Sequence, residues 1–114
     1  MKAIIELGKR GSVFAAARAQ LAEGAPVDFR LSFESARTLF TELTPARMEL
    51  LDTLRRSGPC SIYALAKAAE RNYSNVHGDV ARLLDLGLVE RQDDDTVFVP
   101  FDAIEIRMPL PMAA

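Results

Sequence analysis

Apolar residues recur at two different spacings in the first third of the chain. Residues 2–7 form a short run rich in isoleucine, which is typical of a strand. Residues 27–33 alternate apolar with polar side chains, the period of two expected of a half-buried strand. Residues 12–23, between these two segments, carry apolar side chains at helical spacing. The pattern therefore predicts a strand, a helix and a strand in that order.

A short helix is predicted next, over residues 35–42, and we expect Leu39, Phe40 and Leu43 on its inner side. The two strands before it need a further strand, because a pair of strands alone is marginally stable in water. Three candidates can supply it: the C-terminal segment, where residues 104–108 alternate apolar with charged side chains, the same strands of a second copy, or a different protein. The sequence leaves the choice among these three open.

The middle of the chain has the pattern of consecutive helices with clear start signals. Thr44 suits the cap of a helix and Pro45 its first position, where a missing N–H costs nothing. This helix is predicted to run to about residue 56. Ser61 can cap a second, shorter helix whose apolar residues recur at helical spacing until about residue 69. Two neighbouring helices joined by a short turn are therefore expected.

A third helix is predicted to begin near residues 72–74 and to end at Gly87, a residue type common just after a helix. Residues 88–92 and 96–99, on either side of three consecutive aspartates, then indicate a hairpin. Three helices followed by a hairpin is the element order of a winged helix-turn-helix. The fold class predicted for the chain is therefore α+β, a winged helix-turn-helix with an N-terminal strand-helix-strand extension.

The outer side of the third helix decides between a DNA-binding helix and an ordinary solvated one. Its predicted core stripe comprises Val76, Val80, Leu83 and Leu84. The opposite side carries small or polar residues, Ser74, Gly78, Ala81 and Asp85, flanked by Asn75 and Arg82. In a major groove, short side chains let the helix backbone approach, asparagine pairs with adenine, and arginine pairs with guanine or phosphate. A polar outer face is also present on any amphipathic helix in solvent, so an interaction module without DNA binding remains the alternative.

His77 lies at the rim of the core stripe, and its position favours a packed, hydrogen-bonded histidine over a base contact. The three aspartates at the tip of the predicted wing make that tip acidic, so we do not expect it to enter a groove. Arg91, at the base of the wing, is the better candidate for a DNA contact.

A family resemblance is carried by Leu43-Thr44-Pro45, Arg47, Leu50-Leu51, Gly58-Pro59, Ser61, Leu65-Ala66 and the run RNYSNVHGDVARLLDLGLVERQ. The chain resembles the small winged helix-turn-helix transcriptional regulators of bacteria and haloarchaea, which are distantly similar to the MarR type. Members of that family are often the antitoxin of a toxin-antitoxin pair. The resemblance extends over residues 2–106 and is most specific across residues 73–77.

The resemblance also implies which residues lie at or near DNA: Arg71, Tyr73, Ser74, Asn75 and His77. Together with Arg82, Ser61 and Arg91 they are the predicted DNA-binding residues. The sequence departs from the family at Glu70, where glycine is usual because a positive φ is easy for it. It also departs at Gly78, where relatives tend to have a basic residue.

Charge is unevenly distributed along this chain of 114 residues and net charge −2. Residues 93–114 contain five acidic residues against one arginine, so they carry −4 and the first 92 residues carry +2. That balance is compatible with a local basic face. The single cysteine and single histidine cannot form a zinc site of Cys and His ligands, and no catalytic motif is recognised, so neither a metal, a cofactor nor an enzymatic activity is assigned.

No apolar run approaches the roughly 20 residues that a membrane-spanning helix needs, and the N-terminus does not have the order of a secretory signal. We therefore expect a cytoplasmic protein without a membrane partner. Its predicted domains are residues 1–43, a dimerisation or partner-binding extension, residues 44–100, the DNA-binding domain, and residues 101–114, a strand and tail. The predicted function is a dimeric, sequence-specific repressor that binds double-stranded DNA and has a cognate toxin as a possible protein partner.

Overall fold

The computed structural model describes residues 1–8 and 28–110. The helix predicted over residues 12–23 lies outside the described residues. In chain order the described elements are β1 (Lys2–Leu7), β2 (Phe29–Phe33), α1 (Ala36–Glu42), α2 (Pro45–Ser57), α3 (Ile62–Ala69), α4 (Tyr73–Asp85), β3 (Glu90–Arg91), β4 (Val97–Phe98) and β5 (Ala103–Arg107). The fold is α+β, and it divides into two units, Met1–Glu42 with Ala103–Ala114, and Leu43–Asp102.

A three-stranded parallel sheet forms the centre of the first unit, in the order β2-β1-β5. The third strand is supplied by the C-terminal segment, the first of the three candidates named above. Side chains alternate between the two faces of each strand, and register partners share a face. One face is therefore entirely apolar and includes Ile5 between Leu31 and Ile106, whereas on the other face Glu6 lies between Ser32 and Arg107.

Helix α1 packs on β2 through a single fully buried residue, Leu39. The Ser35 hydroxyl accepts a hydrogen bond from the Thr38 N–H at 3.1 Å at the start of this helix. The expectation for Phe40 is wrong, because this side chain is 53% exposed. Consecutive residues of a helix point about 100° apart, so Phe40 lies at the margin of the side that Leu39 buries, and at that margin it is exposed to solvent. Leu43, also expected inside, is buried.

Each helix of the second unit begins at a polar cap that lies in extended backbone conformation. The side chains of Thr44, Ser61 and Asn72 accept hydrogen bonds from the N–H three residues later, at 3.2, 3.0 and 3.2 Å. The predicted starts of all three helices are confirmed. Their buried residues form the core of the unit: Leu50, Leu51, Leu54, Ile62, Leu65, Ala66, Val76, Val80 and Leu83.

The predicted hairpin is present but short, with β3 and β4 antiparallel and Arg91 opposite Val97. Cys60 also pairs with Val97, through backbone hydrogen bonds of 3.1 and 2.8 Å. At the tip, the Asp94 carboxylate accepts hydrogen bonds from the Thr96 N–H and hydroxyl, and Asp95 has a positive φ of 65°. Among the residues described, no helix combines the length and the hydropathy that crossing a bilayer requires.

Candidate nucleic-acid interface

Helices α3 and α4 are joined by a turn of three residues, Glu70 to Asn72, which begins with one residue in the left-handed conformation. Glu70 has φ 55° and ψ 45°, and the N–H of Arg71 donates to the carbonyl of Ala66 at 3.0 Å. Left-handed backbone is unfavourable for a residue with a Cβ by about 1–2 kcal/mol. Glu70 therefore occupies the position at which a glycine suits the turn, as the resemblance implied.

The outer side of α4 is exposed along its length, opposite the buried stripe of Val76, Val80 and Leu83. The exposed residues are Ser74, Asn75, Gly78, Ala81 and Asp85. Leu84, expected in the core stripe, is half-buried. Nearest the N-terminus, the side chain of Asn72 satisfies the N–H of Asn75, while the side chain of Asn75 itself faces outward. The surface of α4 is thus built of short or hydrogen-bonding groups.

Gly78 is the least expected residue of this surface. It lies in the interior of a 13-residue helix, where a glycine makes the helix less stable than an alanine would, by roughly 0.5–1 kcal/mol. Beyond the neighbouring backbone of α4 itself, a Cβ placed on Gly78 would find no atom within 4 Å, so packing among the described residues does not require the glycine. Its φ is not in the left-handed region either. The backbone at Gly78 is therefore accessible to a molecule that approaches from outside.

A row of exposed rings lies beside this surface and links α3 to α4. Tyr63 and Tyr73 are 61% and 48% exposed, and their ring centroids lie 6.5 Å apart. The ring of His77 lies 5.8 Å from that of Tyr73, and Lys67 Nζ lies 5.3 Å from the Tyr63 ring centroid, within cation–π distance. The row therefore combines stacking surfaces with a cation, two groups that nucleic acids bind.

The prediction of a packed, hydrogen-bonded histidine at the rim of the core stripe is wrong as to burial, because His77 is exposed. Its ring packs instead on Tyr73, one turn earlier on the same helix, at the end of α4 where the buried stripe begins with Val76. Tyr63 and Lys67 were missed among the site residues. Their signal in the sequence is a spacing of four residues on the side of α3 opposite its buried leucine, Leu65.

A partly buried ion-pair network holds the turn against the first helix of the unit. The Asp79 carboxylate, 17% exposed, accepts from Arg71 Nη2 at 2.7 Å and from Arg47 Nε at 3.0 Å. Burial alone raises the pKa of Asp79, but the hydrogen bonds and charges of Arg71 and Arg47 outweigh it and hold that pKa below its ordinary value of 3.8. Arg71, a predicted DNA-binding residue, therefore forms an ion pair with a carboxylate of its own chain.

The other predicted DNA-binding residues differ in their exposure and in whether their side chains already bind groups of this chain. Tyr73, Ser74, Asn75 and His77 lie together in the first two turns of α4 and are exposed. Ser61 is exposed but its hydroxyl caps α3. Arg82 lies 3.9 Å from Asp85, and Arg91, on β3, binds Asp95 at 2.5 Å. Across residues 1–8 and 28–110, no group of three or more His, Cys, Asp or Glu residues is placed to hold a metal ion.

The model of a protein family designated HVO_A0114 matches residues 42–106, more than half of the chain. The matched segment contains α2, α3, α4, the hairpin and most of β5, and thus every residue of the surface described above. Neither a curated protein nor a solved structure matches the chain.

Proposed function

The chain belongs to the HVO_A0114 family, and we propose that it is a sequence-specific, double-stranded DNA-binding protein that represses transcription. In this proposal the unit Leu43–Asp102 acts as a winged helix-turn-helix, with α4 in the major groove and the β3–β4 hairpin as the wing. The alternative is a protein-interaction module of the same shape that does not bind DNA.

The observation that carries the proposal is the exposed glycine in the middle of α4. A helix in the major groove reads the base edges, and short side chains let its backbone come closer to them than long ones do. Gly78 and Ala81 provide such a position, and Gly78 does so at a cost in helix stability that no contact among the described residues explains. Asn75, one turn before Gly78, has the amide that pairs with the N6 and N7 atoms of adenine.

Phosphate contacts are assigned to the start of α4 and to the ring row. The N-terminus of a helix attracts anions through its unpaired N–H groups and its dipole. The Tyr73 hydroxyl and Lys67 Nζ add one hydrogen-bond donor and one charge on the same side of the unit. Arg71 is bound to Asp79 through Nη2, so its contribution to phosphate binding is smaller than its charge suggests.

We also propose that the protein acts as a homodimer, because helix-turn-helix proteins commonly bind two half-sites about one helical turn apart. The resemblance to antitoxins extends the proposal to a cognate toxin as a protein partner.

The test is selection of duplexes from a randomised library, followed by fluorescence anisotropy with the selected duplex and with a random one. If about five phosphates are contacted, the logarithm of the binding constant falls with the logarithm of salt concentration with a slope of about −4.5. Gly78→Ala should raise the free energy of unfolding by roughly 0.5–1 kcal/mol while weakening binding of the selected duplex by about tenfold, or 1.4 kcal/mol.

Ala46→Leu provides the control, because Ala46 is exposed and the leucine adds bulk on α2 instead of on α4. It should leave duplex binding unchanged. The proposal fails if no duplex is enriched, which favours the interaction module, or if Gly78→Leu binds the selected duplex as tightly as the wild-type protein does.

A further inference from the structure

Strand β5 is an edge of the three-stranded sheet and presents apolar residues to solvent. In the sheet order β2-β1-β5 the strand has β1 on one side only among the described strands. Ile106 is 41% exposed, Met108 also is exposed, and Leu110 is 86% exposed just beyond the strand. Edge strands with free backbone groups and apolar side chains invite pairing with another strand, and proteins usually block them with charge, proline or a covering element.

We propose that β5 pairs antiparallel with β5 of a second copy of this chain, about a two-fold axis at Ile106. Two three-stranded sheets then become one continuous six-stranded sheet, with an interface formed by the same surface on both copies. In this register Ile106 faces Ile106 of the second copy, and Ile104 faces Met108. The exposed apolar side chains of the edge then cover one another.

The charges of the strand select this register. Residues 105 and 107 share the polar face of the sheet, and the proposed pairing places Glu105 opposite Arg107 of the second copy at two symmetric positions. Opposite charges directly across two strands stabilise the pairing, and like charges destabilise it. A shift by two residues would place Glu105 opposite Glu105, or Arg107 opposite Arg107. A shift by one residue would place isoleucine opposite a charged side chain.

The same charges already form a ladder within the chain. Glu105 accepts from Lys2 Nζ at 3.2 Å and from Arg107 Nη2 at 3.0 Å, and these contacts hold its pKa below the ordinary value of 4.5. Arg107 is 51% exposed, so its guanidinium has room for a second carboxylate. In the proposed dimer, Arg107 also pairs with Glu105 of the second copy, so positive and negative side chains alternate across the two-fold axis.

The opposite edge, β2, suits self-pairing less well. An antiparallel pairing of β2 centred on Leu31 would place Asp28, just before the strand, opposite Glu34 of the second copy. Two carboxylates would then meet at each end of the paired segment. Because β5 instead brings opposite charges together, it is the edge assigned to the dimer.

The first test is the mass in solution without DNA, so that its outcome is independent of duplex binding. Light scattering at about 50 μM should give twice the 12.5 kDa of one chain. Arg107→Glu should raise the dissociation constant at least tenfold, because it places two glutamates opposite each other twice. The charge-swapped double variant Glu105→Arg/Arg107→Glu should restore the dimer. Arg37→Glu, an exposed charge reversal on α1, is the control.

The second test uses the geometry of the axis. Residues directly opposite in an antiparallel pair have Cα atoms about 4.5–5.5 Å apart, which suits a disulfide. In a Cys60→Ser background, Ile106→Cys should form a disulfide-linked dimer on oxidation. Ile104→Cys should not, because its counterpart lies four residues along the strand, about 13 Å away. A monomeric wild-type chain, a dimer unaffected by Arg107→Glu, or equal cross-linking at residues 104 and 106 would each overturn the proposal.

Discussion

Replacing Asp79 by asparagine removes the charge that joins the turn before α4 to the helix α2. The Asp79 carboxylate binds Arg71 at 2.7 Å and Arg47 at 3.0 Å, and the two arginines lie 8 and 32 residues away in sequence. Asparagine keeps the size of the side chain and one carbonyl acceptor. The substitution therefore changes charge and hydrogen bonding with little change in packing volume.

The magnitude follows from the solvation of the three groups. A hydrogen bond to a charged partner contributes about 1.5–3 kcal/mol, and breaking a fully buried ion pair costs about 3–5 kcal/mol. The three side chains are partly exposed to solvent, Asp79 by 17%, Arg47 by 21% and Arg71 by 29%. The lower of these two energy ranges therefore applies. We expect Asp79→Asn to lower the free energy of unfolding by about 2 kcal/mol, and the melting temperature by about 8 °C.

The pH dependence has a definite sign. The pKa of Asp79 is lower in the folded chain than its ordinary value of 3.8, so the folded state favours the ionised form. The stability contributed by Asp79 is therefore fully present above the pKa of the unfolded chain, and it is lost as the pH falls through the folded pKa. The difference between wild type and Asp79→Asn should be constant near neutral pH and should narrow below about pH 4.

Urea unfolding followed by circular dichroism measures both effects, with Asp85→Asn as the matched control. Asp85 lies on the same helix but is 71% exposed and lies 3.9 Å from Arg82, so its replacement should change stability by less than about 0.5 kcal/mol. If Asp79→Asn loses no more stability than Asp85→Asn, the network does not hold the turn. If the loss is unchanged at pH 3, its electrostatic origin is wrong.

Further predictions concern DNA binding and the turn. Asp79→Asn should steepen the salt dependence of duplex binding by about 0.9 in slope for each arginine that then reaches a phosphate; an unchanged slope contradicts this. Asn75→Ala should leave stability unchanged and reduce discrimination between selected and random duplex by about 1–3 kcal/mol, measured by anisotropy. Tyr73→Phe should weaken both duplexes alike by about 0.5–1.5 kcal/mol if the hydroxyl binds phosphate, and a selective effect would point to base contact instead. Glu70→Gly should raise the free energy of unfolding by about 1 kcal/mol, because the left-handed φ of 55° suits glycine; a loss of stability would refute this.

The sequence by itself determined the elements whose causes are local. The caps Thr44, Ser61 and Asn72 bond to N–H groups only three residues away, so residue type and spacing suffice to place the helix starts. The periodicity of two and the periodicity of a helix likewise reflect backbone geometry over a few residues. For the same reason the exposed outer side of α4, including Asn75 and Gly78, was readable from the spacing of the buried stripe.

Only the tertiary structure decided which distant segments meet. That β5 completes the sheet beside β1, about 100 residues earlier in the chain, depends on the path of the whole chain. The ring row and the Asp79 network join side chains from different elements. Periodicity along one helix shows which of these residues share a side, but it does not show that two helices bring them together. His77 and Phe40 lie at the margin of an apolar stripe, where helical position leaves two environments equally compatible. The neighbouring elements settle that choice, because burial depends on what packs against a side chain as well as on its position in the helix.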